Sequence, residues 1–152
     1  MAEQIVHPLQ PIYDEHSRVL ILGTMPSPAS RAAAFYYAHP QNRFWRTLCA
    51  VLGEEIPATN AEKASLARKH KIALWDTLAS CDILGAADSS IKNPIANDFA
   101  PIFAVAQIQA IFTTGQKATQ LYNRYCIQQC RLPAQMLPSP SPANCAVKPE
   151  AL

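Results

Sequence analysis

Apolar residues along this chain fall into short solid runs separated by longer stretches with helical spacing. Residues 18–23, Arg-Val-Leu-Ile-Leu-Gly, are apolar almost throughout and predict a strand covered on both faces, as in a parallel sheet. Residues 72–76 (Ile-Ala-Leu-Trp-Asp) and 109–113 (Gln-Ala-Ile-Phe-Thr) repeat that signature, and 135–137 gives a shorter version of it. Pro40 suits the first position of a helix that carries Phe44, Trp45, Leu48, Val51 and Leu52 on one face and stops at Gly53. Thr59-Asn-Ala-Glu62 is a capping box, opening a helix that closes on Arg68, Lys69 and His70. Asn97 or Asp98 caps a third helix with Phe99, Ile102, Phe103 and Ala106 inward, Pro101 falling in its first turn. Ala118, Leu121, Tyr122 and Tyr125 then mark one apolar stripe of a fourth.

Strands alternating with helices predict an α/β domain: a three-layer sandwich whose short central parallel four-stranded sheet is flanked by helices. The 152 residues fit a single domain, 1–152, with no repeat and no Gly/Ser linker. Ligands of such sheets bind beyond the carboxyl ends of the strands. That rule points to the loops after Gly23, Asp76, Thr113 and Leu137.

Composition narrows the class. Hydrophobic residues make up 49% of the chain, yet none of their runs is long enough to span a bilayer, and the N-terminus lacks a signal-peptide pattern. The expectation is a soluble cytoplasmic protein with no membrane partner. Five cysteines, an odd number with no CxxC pair, argue against a disulfide framework and a zinc site; Cys126 and Cys130 read as reduced thiols on one helix face. No metal and no cofactor is expected. A net charge of +2 says little, but residues 17–53 hold Arg18, Arg31, Arg43 and Arg46 and no acid. Such a stretch suits a phosphate backbone, or else forms a solvated face.

Two segments carry unusual chemistry. The first is Gly23-Thr-Met-Pro-Ser27 followed by Tyr36-Tyr-Ala-His-Pro-Gln-Asn-Arg-Phe-Trp45. A glycine at a strand end lets a ligand approach the backbone, Pro26 stiffens the turn, and adjacent tyrosines offer a surface on which a base can stack. Phe44 and Trp45 fall on the helical stripe and read as core. Asn42 falls in the first turn of the predicted helix, where free N–H groups favour negative charge. His39 is an acid/base candidate by type, but sits where a helix cap belongs. Asp76 follows a strand end and reads either as a site residue or as a turn carboxylate. The second segment, Leu137-Pro-Ser-Pro-Ser-Pro-Ala-Asn144, reads by itself as polyproline II.

Together these motifs resemble the uracil-DNA glycosylase superfamily. A strand ending in G-x-x-P-[S/G], followed by A-H-P-x-N-R-F-W, is similar to the mismatch-specific uracil-DNA glycosylases and their hypoxanthine-DNA glycosylase relatives. Tyr36-Tyr37-Ala-His-Pro, and Met25 where the mismatch-specific enzymes have a catalytic asparagine, resemble the hypoxanthine branch, as do Trp75-Asp76, Cys81-Asp82, Ile91-Lys-Asn93 and the C-terminal loop. The resemblance covers residues 18–148. It departs from the uracil-specific enzymes at Leu137, where they carry a histidine, and at Ser141, where they insert a leucine wedge. Lys148-Pro149-Glu150 begins a helix that the family usually continues, so Leu152 reads as a truncated C-terminal layer.

The resemblance implies a monofunctional DNA-repair glycosylase acting as a monomer on double-stranded DNA that contains a deaminated base: hypoxanthine, with uracil and xanthine as further candidates. It implies no iron–sulfur cluster here, given the cysteine pattern. Asn42 is the implied catalytic group, reading the base or holding water, since an amide is too weak a base to deprotonate water. Gly23, Thr24, Met25, Pro26, Ser27, Tyr37, His39 and Asp76 would line the base pocket. Arg43, Arg46, Ser139, Ser141 and Asn144 would meet DNA, the serines as phosphate ligands rather than nucleophiles. Two other readings stay open: a DNA-binding module of the same fold with weakened catalysis, suggested by Met25 and Leu137, and an unrelated α/β nucleotide-processing enzyme. The second lacks both phosphate-loop patterns, GxxxxGK[ST] and GxGxxG.

Overall fold

The computed structural model describes residues 3–85 and 87–141. Its elements run β1 (Glu3–Val6), β2 (Val19–Gly23), α1 (Pro28–Ala33), α2 (Phe44–Leu52), α3 (Asn60–Lys69), β3 (Ile72–Asp76), β4 (Leu78–Leu84) and β5 (Ala87–Ala96). After these come α4 (Ala100–Val105), β6 (Ala110–Thr114), α5 (Gln116–Leu121), a π-helical turn at Tyr122–Cys126, α6 (Ile127–Cys130) and β7 (Ala134–Leu137).

The expected sheet is present: four parallel strands in the order β3-β2-β6-β7. Alternation along β2 divides its side chains between two cores. Ile21 joins Leu74, Phe35, Trp45 and Ala67 on one face, and Leu20 and Leu22 join Phe99, Ile102, Ile111 and Tyr122 on the other. Helices cover both faces, as a parallel sheet with no solvated side requires.

A second sheet stands outside the sequence reading. β1, β4 and β5 form an antiparallel sheet in the order β1-β4-β5, beneath which Leu78, Cys81, Ile83 and Leu121 pack, with Met25 against them. Thr77 is the hinge between the sheets: its N–H donates to the Gly23 carbonyl at 2.8 Å, so β4 leaves directly from the carboxyl end of β3.

Two local expectations are corrected. The helix predicted from Pro40 opens at Phe44. His39 to Asn42 instead closes a turn, Asn42 N–H donating to the His39 carbonyl at 2.9 Å, and Gly53 ends the helix as expected with φ +69°. The stripe through Tyr125 is broken by the π turn, whose wider spacing turns Tyr125 outward under Arg124 and buries Cys126 and Cys130 instead. Burial pushes the Cys126 thiol up to about 12 and that of Cys130 to about 11, so both are poor nucleophiles. The Thr59 cap holds: its hydroxyl accepts from Glu62 N–H at 3.2 Å.

Candidate active site

A cavity of about 270 Å³ opens at the carboxyl ends of β2, β3 and β6, where the strand-end rule placed it. Its floor is Gly23. A Cβ at that position would lie 2.5 Å from Asp76 Oδ1 and 3.4 Å from both Thr114 Oγ1 and Tyr37 Oη. The missing side chain therefore lets three polar groups from three elements converge on one point. Any larger residue would displace the Asp76 carboxylate.

The wall is the 24–27 loop. Thr24 and Pro26 are buried, and Ser27 caps α1 by accepting from Ser30 N–H at 3.2 Å. Met25 lines the cavity while packing on Leu78, Cys81 and Ile83, so no polar side chain stands there to hold water.

Tyr36 and Tyr37 part company. Tyr36 is buried, its hydroxyl donating to the Gln10 carbonyl at 2.6 Å and its own carbonyl accepting from the Trp45 indole at 2.9 Å; it anchors the segment. Tyr37 adopts φ +54°, a left-handed conformation unusual for an aromatic residue, and stacks on Phe44 with centroids 3.9 Å apart and planes inclined by 15°. Burial, then the nearby Asp76 charge, pushes its phenol well above the ordinary range. The ring therefore stays neutral, a stacking surface backed by a second ring.

Asn42 is half-buried and lines the cavity. Its Oδ1 accepts from Phe44 N–H at 2.9 Å, capping α2. That bond fixes the carboxamide by its oxygen and leaves the NH₂ end as donor. His39 also lines the cavity, with Nδ1 accepting from Gln41 N–H at 3.1 Å, so it caps the 39–42 turn rather than a helix at Pro40.

The residues expected to meet DNA divide. Arg46 is exposed on α2. Arg43 is buried and turned inward, its guanidinium donating to the carbonyls of Ser141 at 3.1 Å and Ser139 at 3.5 Å, and its N–H to that of Pro140 at 3.0 Å. The expectation that Arg43 meets phosphate is thereby corrected: its charge-assisted bonds hold the 139–141 loop over the cavity. Arg18 and Arg31 likewise donate to backbone carbonyls, of Ser17 at 2.9 Å and Pro26 at 2.8 Å, so most of the acid-free stretch serves the fold. Ser139 and Ser141 line the cavity rim, Ser139 Oγ accepting from Ser141 N–H at 3.3 Å. Asn144 lies outside the described residues.

Three polar cavity groups, and one residue behind them, escaped the sequence reading. Thr114 is one residue beyond the predicted end of its strand. Ser30 belongs to the unanticipated α1, and its Oγ accepts from Ala38 N–H at 3.1 Å. Asp88, on β5, is at the mouth; loss of solvation pushes its carboxyl up, against Lys117 and with Asp76. His7, seven residues into the chain, is 2.7 Å from Asp76 through Nε2, a contact spanning 69 positions that no local pattern could announce. Among the described residues no group of three His, Cys, Asp or Glu side chains could hold a metal, and no helix is long and apolar enough to cross a membrane.

Comparison with known proteins agrees with this geometry. Residues 10–151 match the family model of the uracil DNA glycosylase superfamily. A hypoxanthine DNA glycosylase of Methanosarcina barkeri is 32% identical over 110 residues, covering 71% of this chain and 70% of that protein. One from Methanosarcina acetivorans is 33% identical over 135 residues, covering 88% and 84%. An NMR structure from Methanosarcina acetivorans, described as a candidate uracil DNA glycosylase, superposes with a TM-score of 0.80 at 28% identity, over 93% of this chain and 88% of that one.

Proposed function

The chain belongs to the uracil DNA glycosylase superfamily, and on that premise we propose that it excises hypoxanthine from deoxyinosine in double-stranded DNA by hydrolysing the N-glycosidic bond. Uracil and xanthine are the further bases its pocket chemistry would accept. We further propose that it acts as a monomer, in the cytoplasm.

The scissile bond of a stacked nucleotide is out of reach, so the damaged nucleotide must swing into the cavity. Tyr37, backed by Phe44, stacks on the extruded base. Met25 and Leu137 offer no acid or base at their positions, and preorganised dipoles supply the acceleration. Negative charge develops on the departing base, and a donor fixed at its carbonyl stabilises that charge.

The single observation carrying the reading is the capping bond of Asn42: with Oδ1 held by Phe44 N–H, the amide presents NH₂ as a donor that needs no reorganisation during reaction. The carbonyl of hypoxanthine, uracil or xanthine is the group it fits. Thr24, Pro26 and Ser27 shape the wall, His39 holds the turn that carries Asn42, and the proline-rich 137–141 loop, clamped by Arg43, faces the minor groove. Arg46, Ser139 and Ser141 would take phosphates.

Duplexes carrying deoxyinosine, deoxyuridine or deoxyxanthosine, incubated with the protein and then cleaved with alkali, test the reading. The expected result is an abasic site in all three, fastest from deoxyinosine. Duplexes retarded on a gel without alkali-labile sites would identify a binding module instead.

A further inference from the structure

We infer that His7 is a positioning residue for base recognition: it holds Asp76 as a hydrogen-bond acceptor facing the lactam N–H of the flipped base. The inference rests on the reading above and adds to it a source of selectivity.

The tautomer of His7 follows from its two contacts. Nδ1 accepts from the Leu9 N–H at 3.2 Å, so it carries no proton. The ring proton therefore sits on Nε2, which donates to Asp76 Oδ2 at 2.7 Å. The pair is a neutral imidazole and a carboxylate, both side chains nearly inaccessible, at 3% and 6% exposure. The ring is fixed further by its neighbours, with Trp75 edge-on at 6.2 Å and Tyr36 at 6.3 Å.

With Oδ2 so engaged, Asp76 has one orientation left. Oδ1 lies over Gly23 Cα, at the cavity floor where Tyr37 Oη and Thr114 Oγ1 also converge. An ionised carboxylate only accepts. Hypoxanthine and uracil present an N–H beside their carbonyl, whereas their amino parents, adenine and cytosine, present a lone pair at that ring nitrogen. Asn42 as donor and Asp76 as acceptor together complement the edge that deamination creates. A carboxylate facing a lone pair is repulsive, so the same group rejects the parent. The groups facing Asp76 are His7, Tyr36 and Tyr37, with Asp88 at the cavity mouth. Both phenols are pushed up by burial and stay neutral, so His7 alone among them fixes the carboxylate by a hydrogen bond.

The test compares the protein with His7→Leu and His7→Gln, the glutamine amide placing a donor near the position of Nε2. Single-turnover excision is measured on duplexes carrying deoxyinosine or purine deoxyriboside, which has a lone pair at N1 and no carbonyl, alongside thermal melts. His7→Leu should lose at least 30-fold on deoxyinosine and narrow the preference over purine deoxyriboside at least tenfold; His7→Gln should recover to within about fivefold of the parent. A merely structural histidine would lower the melting temperature and leave the preference unchanged, and that result overturns the inference. If His7→Leu does not fold, His7→Gln and the imidazole ¹⁵N shifts of the parent decide. An Nδ1-protonated ring, or a His7→Gln variant whose preference has collapsed, also overturns it. A parent protein that releases no base overturns the function and the inference together, whereas an active parent matched by His7→Leu in rate and preference overturns the inference alone.

Discussion

The guanidinium of Arg43 donates to the carbonyl of Ser141 at 3.1 Å, joining the start of α2 to a loop almost a hundred residues away. A buried arginine so committed has little to offer a phosphate. Arg46, three residues on and exposed, is free of that commitment.

Salt dependence separates the two. Arg46→Ala should lower the slope of log affinity against log salt by about 1, the loss of one phosphate contact. Arg43→Ala should leave the slope alone and instead destabilise the fold by about 1–3 kcal/mol, because it removes a buried side chain whose charge-assisted bonds clamp the 139–141 loop. Duplex titrations over a salt series, with melts of both variants, check this.

The stack of Tyr37 on Phe44 predicts a second pair of results. Tyr37→Ala should cost about 1–3 kcal/mol of base stacking, roughly 5- to 150-fold in single-turnover rate. Tyr37→Phe should stay close to the parent, since among the described residues the hydroxyl bonds only Thr114 Oγ1, at a long 3.4 Å.

Asp88 predicts a pH-dependent stability. Its folded carboxyl is raised by loss of solvation, so its favourable contribution is complete below the unfolded value and is lost as pH rises through the folded one. Asp88 is exposed on β5, so water screens most of this cost and ionised Asp88 is only a small liability near neutrality. Asp88→Asn should melt above the parent at pH 7, and the difference should vanish toward pH 3. A gain that persists unchanged in acid would assign it another cause.

The parallel sheet was legible because β2, β3 and β6 are apolar runs that must be covered on both faces, and the site followed from where they end. The β1-β4-β5 sheet was not. β4 and β5 pair through repeated register shifts, and β5 carries Asp88, Ser89, Ser90 and Lys92, with Asn93 at φ +52°, so the alternation a strand needs is erased. That Asn42, Tyr37 and Asp76 line the cavity was legible because motif and strand-end arguments converged on them. Their mechanical details depend on packing: Arg43 turned inward, the helix start moved to Phe44, and His7 brought in from an otherwise unremarkable N-terminus.

The central claim, that Asn42 acts through its NH₂ group while its oxygen caps α2, is tested most directly by Asn42→Asp. Aspartate caps as well as asparagine, so the variant should melt within about 0.5 kcal/mol of the parent, whereas Asn42→Ala should lose about 1 kcal/mol. Aspartate has no N–H₂ to offer a base carbonyl. Single-turnover release of hypoxanthine by Asn42→Asp should therefore fall roughly 30- to 1000-fold, the effect of removing one preorganised donor worth about 2–4 kcal/mol. An Asn42→Asp protein that excises hypoxanthine at the parental rate would contradict the account, because a carboxylate could then do all that the amide does.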